Sequence, residues 1–185
     1  MRITGGEARG RKLNFPSRLK ERPTSDFLRE ALFNLLGSLP GKTFLDLFAG
    51  SGGVGLEAAS RGAREVCFIE KNKKPVEAIR KNIRICSPDI PYRIIDKDVE
   101  SGLQDLYGKR CLFDIIFADP PYNRDLINVT LKALNKYKVL HNDGVLVIQH
   151  SIRETFNLPV NGDIYQTDQR KYGDNALTFL KMEQK

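Results

Sequence analysis

The chain has 185 residues, 41% of them hydrophobic, and a formal net charge of +7. That length suits one domain with a small appendage, with enough apolar content to bury a core. No run of about 18 apolar residues occurs, which excludes a membrane-spanning helix, and the basic N-terminus lacks the apolar stretch of a signal peptide.

The first 24 residues hold seven basic side chains (Arg2, Arg9, Arg11, Lys12, Arg18, Lys20, Arg22) against Glu7 and Glu21, and so carry most of the charge. Glycines and prolines punctuate this stretch, which reads as short strands or an extended arm over residues 1–23. Such a block attracts polyanions; the alternative is a solvated surface arm. A larger domain of residues 24–185 follows. Thr24 or Ser25 can cap a helix to about Leu36, with Phe27, Leu28, Ala31, Leu32, Leu35 and Leu36 on its apolar face.

A βα alternation begins at Thr43. Strands are expected at 43–48, 65–69, 92–95, 113–118 and 144–149, and helices at about 53–61, 74–86, 99–106 and 125–136. Two final strands near 163–167 and 176–181 flank a turn at Tyr172-Gly173-Asp174. This alternation implies a mostly parallel sheet covered on both faces. Ligands in such sheets bind outside the carboxyl ends of the strands, so the residues to inspect are 48–55, Glu70, Asp98, 119–122 and His150. If the sixth strand runs parallel to the first five, the 169–175 turn joins them at that edge.

Gly50-Ser51-Gly52-Gly53-Val54-Gly55 matches a G-x-G-x-x-G turn between a strand and a helix. The pattern alone suggests a dinucleotide. Asp46, four residues before Gly50, favours S-adenosyl-L-methionine instead: its carboxylate suits an ammonium group and disfavours a pyrophosphate. Phe48, Gly50, Ser51 and Gly52 would then line the cofactor, whose carboxylate takes the backbone amides. Glu70 ends the second strand, where a carboxylate accepts ribose hydroxyls. Asp98 follows the third strand and can accept from an adenine amine, with Asp96 as its competitor. A plain tight turn and surface carboxylates are the alternatives.

Asp119-Pro120-Pro121-Tyr122 follows an apolar strand directly. An aromatic amine is a poor nucleophile because its lone pair is delocalised. The Asp119 carboxylate and the Pro120 carbonyl can draw both amine hydrogens aside. Pro120 and Pro121 stiffen the loop and remove donors, and Tyr122 can stack on the base. Asp119 also borders the methyl donor and can take the released proton. The reaction then rests on positioning and charge stabilisation, without a metal. The target base must be unpaired or flipped out. A proline turn with a packed tyrosine is the alternative.

Three cysteines (Cys67, Cys86, Cys111) lack a C-x-x-C pair, and His141 and His150 lie too far apart for a helical metal pair. The expectation is a cytoplasmic, metal-free monomer with reduced thiols and no membrane partner.

Nearly the whole chain resembles the bacterial small-subunit ribosomal RNA (guanine-N2) methyltransferase family of the D type. The resemblance is carried by Arg2-Ile3-Thr4-Gly5-Gly6 through Leu13, by Arg22-Pro23-Thr24 with Asp26 and Arg29–Asn34, by Leu45–Gly52, by Asp119–Tyr122 and by Tyr172-Gly173-Asp174. It implies an α/β, Rossmann-like class I methyltransferase: a seven-stranded, mostly parallel sheet with an antiparallel last strand, plus a small N-terminal basic β-hairpin. It also implies S-adenosyl-L-methionine as methyl donor, S-adenosyl-L-homocysteine as product, and guanine 966 of 16S rRNA as target, within the 30S subunit or its assembly intermediate. Arg9, Arg11, Lys12, Arg22 and Tyr172 would contact RNA. Asn175, Asn72 and Lys97 depart from the family pattern, at positions where threonine, an acidic residue and glycine are expected. An adenine-N6 methyltransferase acting on other RNA or on DNA, and a non-catalytic RNA-binding module, are the competing readings.

Overall fold

The computed structural model describes residues 1–15, 25–87, 89–122, 125–159 and 162–183. Arg22 and Thr24 therefore lie outside the described residues. The elements, in chain order, are α1 (Asp26–Leu36), β1 (Thr43–Leu47), α2 (Gly53–Ser60), β2 (Glu65–Ile69), α3 (Lys73–Cys86), β3 (Tyr92–Ile95), α4 (Val99–Gly108), β4 (Phe113–Ala118), α5 (Leu126–Lys136), β5 (Leu140–Ser151), β6 (Ile164–Tyr172) and β7 (Asn175–Met182).

The seven strands form one sheet in the order β3-β2-β1-β4-β5-β7-β6. Strands β1 to β5 are mutually parallel, and β7 runs antiparallel to both β5 and β6. β6 is therefore parallel to the first five, and the β6–β7 turn reaches the same edge as the ends of β1, β2 and β4. Successive side chains point to opposite faces of the sheet. Phe44, Val66, Phe68 and Phe117 pack into one apolar layer with α1, α2 and α3. Leu45, Cys67, Ile69 and Ile116 pack into a second layer with α4 and α5. No helix among the described residues is long and apolar enough to cross a membrane.

The buried face of α1 differs from the expected stripe. Leu28, Arg29, Leu32 and Phe33 are buried, whereas Phe27 is 68% and Leu35 41% exposed. The stripe is rotated because Arg29 has an interior partner. Its Nε donates to Glu57 Oε2 at 3.2 Å, and both side chains are fully buried. Its Nη2 donates to Asp26 Oδ1 at 3.0 Å and to the Arg2 carbonyl. Ser25 caps the helix by accepting from the Leu28 N–H.

β5 begins at Leu140, not at Gly144 as expected. Leu140 pairs with Phe113, and an irregularity then carries the polar, exposed His141–Asp143 before regular pairing resumes at Val145 with Ile115. β6 extends to Tyr172 rather than stopping near Thr167. Among the described residues it is an edge strand paired to β7, and its mostly exposed polar residues conceal it from an apolar-periodicity reading.

The N-terminal segment folds back on itself as a short antiparallel hairpin: Arg2 bridges Lys12, the Ile3 N–H donates to the Arg11 carbonyl, the Gly10 N–H to the Ile3 carbonyl and the Leu13 N–H to the Met1 carbonyl. It is packed along α2. A Cβ on Gly53, the first residue of α2, would lie 2.8 Å from the Met1 side chain. One turn further, Glu57 accepts from the Thr4 and Gly5 N–H groups and the Thr4 hydroxyl at 2.7–2.8 Å. At the helix end, Ser60 Oγ accepts from the Ala8 N–H and donates to the Gly5 carbonyl. Ile3, Ala8 and Leu13 are buried in the core, while Arg9, Arg11 and Lys12 face solvent.

Candidate active site

β1 leads into the glycine turn through a sharp change of backbone direction. Phe48, Gly50 and Gly52 have φ values of 60°, 56° and 81°. Glycine adopts this left-handed conformation without a Cβ penalty, whereas Phe48 does so at a strained position. Asp46, buried within β1, closes the turn by accepting the Gly55 N–H at 2.9 Å. Burial pushes its carboxyl up to about 8, opposed by that hydrogen bond and reinforced by Asp119 and Glu70.

Glu70 follows β2. Its Oε2 accepts the Gly50 N–H at 2.9 Å, and its Oε1 accepts the Asn72 N–H and side-chain Nδ2, both at 2.8 Å. The ends of β1 and β2 are thereby tied together. A carboxylate offers about four acceptor positions. A diol therefore competes with the Asn72 side chain, the one of these donors that can rotate away. Asp98 caps α4, accepting from the Ser101 N–H at 3.0 Å and its hydroxyl at 2.7 Å. These bonds lower its carboxyl below the usual range and keep it ionised.

A cleft of about 380 Å³, within the range of small-ligand pockets, opens beside these residues. Phe48, Glu70, Asp98, Asp119 and Pro121 all line it. Asp98 does so and Asp96 does not, which separates the two candidates. Apolar walls (Ile69, Val99, Leu126) and four carboxylates (Glu70, Asp98, Glu100, Asp119) suit a flat, donor-rich ligand such as a nucleoside. Asp46, Gly50, Ser51 and Gly52 do not line the cleft. Asp46 and Gly50 are engaged by Gly55 and Glu70, and the Ser51 carbonyl accepts from Asn82 Nδ2 at 2.9 Å.

Asp119 is half-buried after β4, and Pro120 is buried behind it. Asp119 Oδ2 accepts from Gln149 Nε2 at 3.1 Å. The Tyr122 ring is 41% exposed, and its hydroxyl donates to Asn175 Oδ1 at 2.7 Å. Desolvation and the Asp119 charge push the Tyr122 phenol up against the opposing influence of the Gln149 amide, so it stays a neutral donor. Tyr172, in the same hairpin as Asn175, makes an edge contact with Phe27 at 6.0 Å. His150 is engaged elsewhere, through Thr178 and the Ser151 carbonyl.

Gln149, Phe27 and the Asn72 contact were not anticipated as parts of the site. Gln149 sits one residue past the paired Ala118 and Ile148, a position that the strand ends could have flagged. No local signal marks Phe27, which reads as core.

The profile of the family described as "Conserved hypothetical protein 95" matches residues 1–181. The chain belongs to this family. It is 32% identical over 182 residues to "Putative rRNA methyltransferase YlbH" of Bacillus subtilis, covering 98% of each chain. It is 32% identical over 168 residues to "Ribosomal RNA small subunit methyltransferase D" of Escherichia coli K12, covering 90% of this chain and 83% of that one. Among solved structures, the putative methyltransferase yhhF from Escherichia coli superimposes with a TM-score of 0.83 at 28% identity, covering 99% and 98% of the two chains. The family is that of the small-subunit rRNA methyltransferases of the D type, and the fold is that of S-adenosylmethionine-dependent methyltransferases.

Proposed function

We propose that this protein methylates the exocyclic N2 amine of a guanine in 16S rRNA, using S-adenosyl-L-methionine and releasing S-adenosyl-L-homocysteine. The observation that carries this reading is the convergence of Glu70, Asp98 and Asp119 on one cleft, with the Asp119–Tyr122 loop at its rim. Glu70 would hold the ribose hydroxyls, Asp98 the adenine amine, and the 50–52 turn with Asp46 the amino-acid end. When bound, S-adenosyl-L-methionine supplies a methyl group already activated on sulfur.

The rest falls to the protein's own groups. The Asp119 carboxylate and the Pro120 carbonyl accept the two amine hydrogens and localise the nitrogen lone pair. Tyr122 packs on the base, and Asp119 receives the released proton. Arg9, Arg11 and Lys12 meet RNA phosphates, as does the expected Arg22, and Tyr172 lies at the RNA-facing rim. The names of the relatives support rRNA as substrate; the 30S subunit or a precursor of it is the proposed context.

The test is incubation with labelled S-adenosyl-L-methionine and purified 30S subunits, followed by nucleoside analysis. Label in N2-methylguanine is expected. Label in N6-methyladenine or in DNA overturns the guanine assignment. Cofactor binding without transfer to any nucleic acid overturns the enzyme assignment.

A further inference from the structure

Gln149 is 4% exposed and lies beside Asp119 at the ends of the paired strands β4 and β5. Its Nε2 donates to Asp119 Oδ2. A carboxylate at that distance can only accept, so the amide nitrogen must face Asp119 and the carbonyl oxygen is the atom left over. That oxygen, Gln149 Oε1, is buried without a hydrogen-bond partner among the described residues. Buried carbonyls in native folds are almost always satisfied, so one left open beside a substrate-binding carboxylate marks the place of a ligand donor.

The bases differ in what stands next to the target amine. On the Watson–Crick edge of guanine the neighbour of the N2 amine is the ring N1–H, a donor. In adenine and cytosine the neighbour of the exocyclic amine is a bare ring nitrogen, an acceptor. Two adjacent acceptors, Asp119 and Gln149 Oε1, complement the guanine edge and oppose the other two. We propose that Gln149 is the specificity-determining residue of this site: its Oε1 accepts the ring N–H adjacent to the target amine while its Nε2 holds Asp119. This rests on the guanine-N2 reading above.

The test replaces the methylated guanine, in reconstituted small-subunit RNA, with 2-aminopurine, which keeps the 2-amine and lacks the N1–H. The wild-type protein is expected to prefer guanine by about 10- to 100-fold in kcat/KM, because 2-aminopurine leaves a buried acceptor facing an acceptor. In Gln149→Met the preference falls to within about threefold. In Gln149→Glu an acceptor oxygen remains while Asp119 is repelled, so both rates fall and the preference persists. Equal wild-type use of the two bases overturns the assignment, and that measurement does not depend on either variant folding. A preference unchanged in Gln149→Met overturns it as well. In both of those cases the wild-type protein still methylates guanine, so the failure belongs to Gln149 alone; a wild-type protein that methylates no guanine overturns the functional reading itself.

Discussion

The Tyr122 hydroxyl donates to Asn175 Oδ1 at 2.7 Å across 53 residues of sequence. The aromatic of the Asp119–Tyr122 loop is thereby pinned to the first residue of β7. Asn175 stands where the family resemblance leads one to expect threonine, and its longer amide side chain supplies the acceptor that Tyr122 uses. A neutral hydrogen bond of this kind contributes on the order of 1 kcal/mol. Asn175→Ala is expected to lower methyl-transfer kcat/KM by about fivefold, with cofactor affinity unchanged. Tyr122→Phe should cost about the same, and the double variant no more than either alone. Steady-state kinetics on 30S subunits checks this; additive losses would separate the two residues.

Asp119→Ala is expected to abolish transfer while leaving cofactor affinity within about tenfold. Equilibrium binding and single-turnover transfer measure the two quantities separately. Near-normal turnover would remove Asp119 from the role of amine acceptor.

Asp46 gives the stability a defined pH dependence. Its carboxyl is raised to about 8 in the folded protein from an ordinary value of 3.8. The folded state therefore binds this proton more tightly than the unfolded chain does. The resulting stabilisation is complete below the ordinary value and is lost as pH rises through about 8. Asp46→Asn keeps a carbonyl acceptor for Gly55 and removes the titration. The melting temperature of the wild type, measured relative to that of Asp46→Asn, should fall by about 2–4 °C per pH unit between pH 5 and 8. Parallel melting curves across that range would contradict this.

Glu57 anchors the N-terminal segment. Its two oxygens accept from Thr4, Gly5, Arg29 and Arg61 while the side chain is fully buried. Removing one member leaves the Arg29 guanidinium buried without its main counter-charge. Glu57→Ala is expected to cost about 3–5 kcal/mol of unfolding free energy. Limited proteolysis should then cut within residues 1–15 of the variant before the rest of the domain. Denaturant titration with wild-type stability would dismiss the network as an anchor.

Arg9 and Lys12 project into solvent from that anchored segment, while Arg11 also donates to the Ile85 carbonyl. Reversing Arg9, Arg11 and Lys12 to glutamate should weaken RNA binding and reduce its dependence on salt. The slope of log K against log salt should shrink by about 0.7–0.9 for each phosphate that the variant no longer neutralises. An unchanged slope in filter binding would return these residues to solvated surface.

Much of the fold was legible from the chain. Continuous apolar runs such as Val66–Ile69 and Ile115–Ala118 declare buried parallel strands, and strand ends in such sheets point to Glu70, Asp98 and Asp119. What stayed hidden depends on partners distant in sequence. Arg29 reads as a solvent-facing helix residue until Glu57, 28 residues on, is placed beside it. Gln149 is an unremarkable polar residue at a strand end until β4 and β5 pair and bring it to Asp119. The polar edge strand β6 has no apolar alternation to reveal its length; its backbone pairing is supplemented by polar contacts such as Gln169 to Thr178.

The packing of the N-terminal segment against both ends of α2 joins two chemistries on one rigid rod. Met1 abuts Gly53 at the mouth of the glycine turn, and Ala8 is tied to Ser60 at the far end. Under the proposed function, a displacement of the basic arm by RNA would be carried along this helix to the turn beside the cleft. Thermodynamic linkage makes such a connection reciprocal: whatever factor RNA binding applies to cofactor affinity, cofactor binding returns to RNA affinity. Under the proposed function, this eight-residue helix would link RNA binding to cofactor binding.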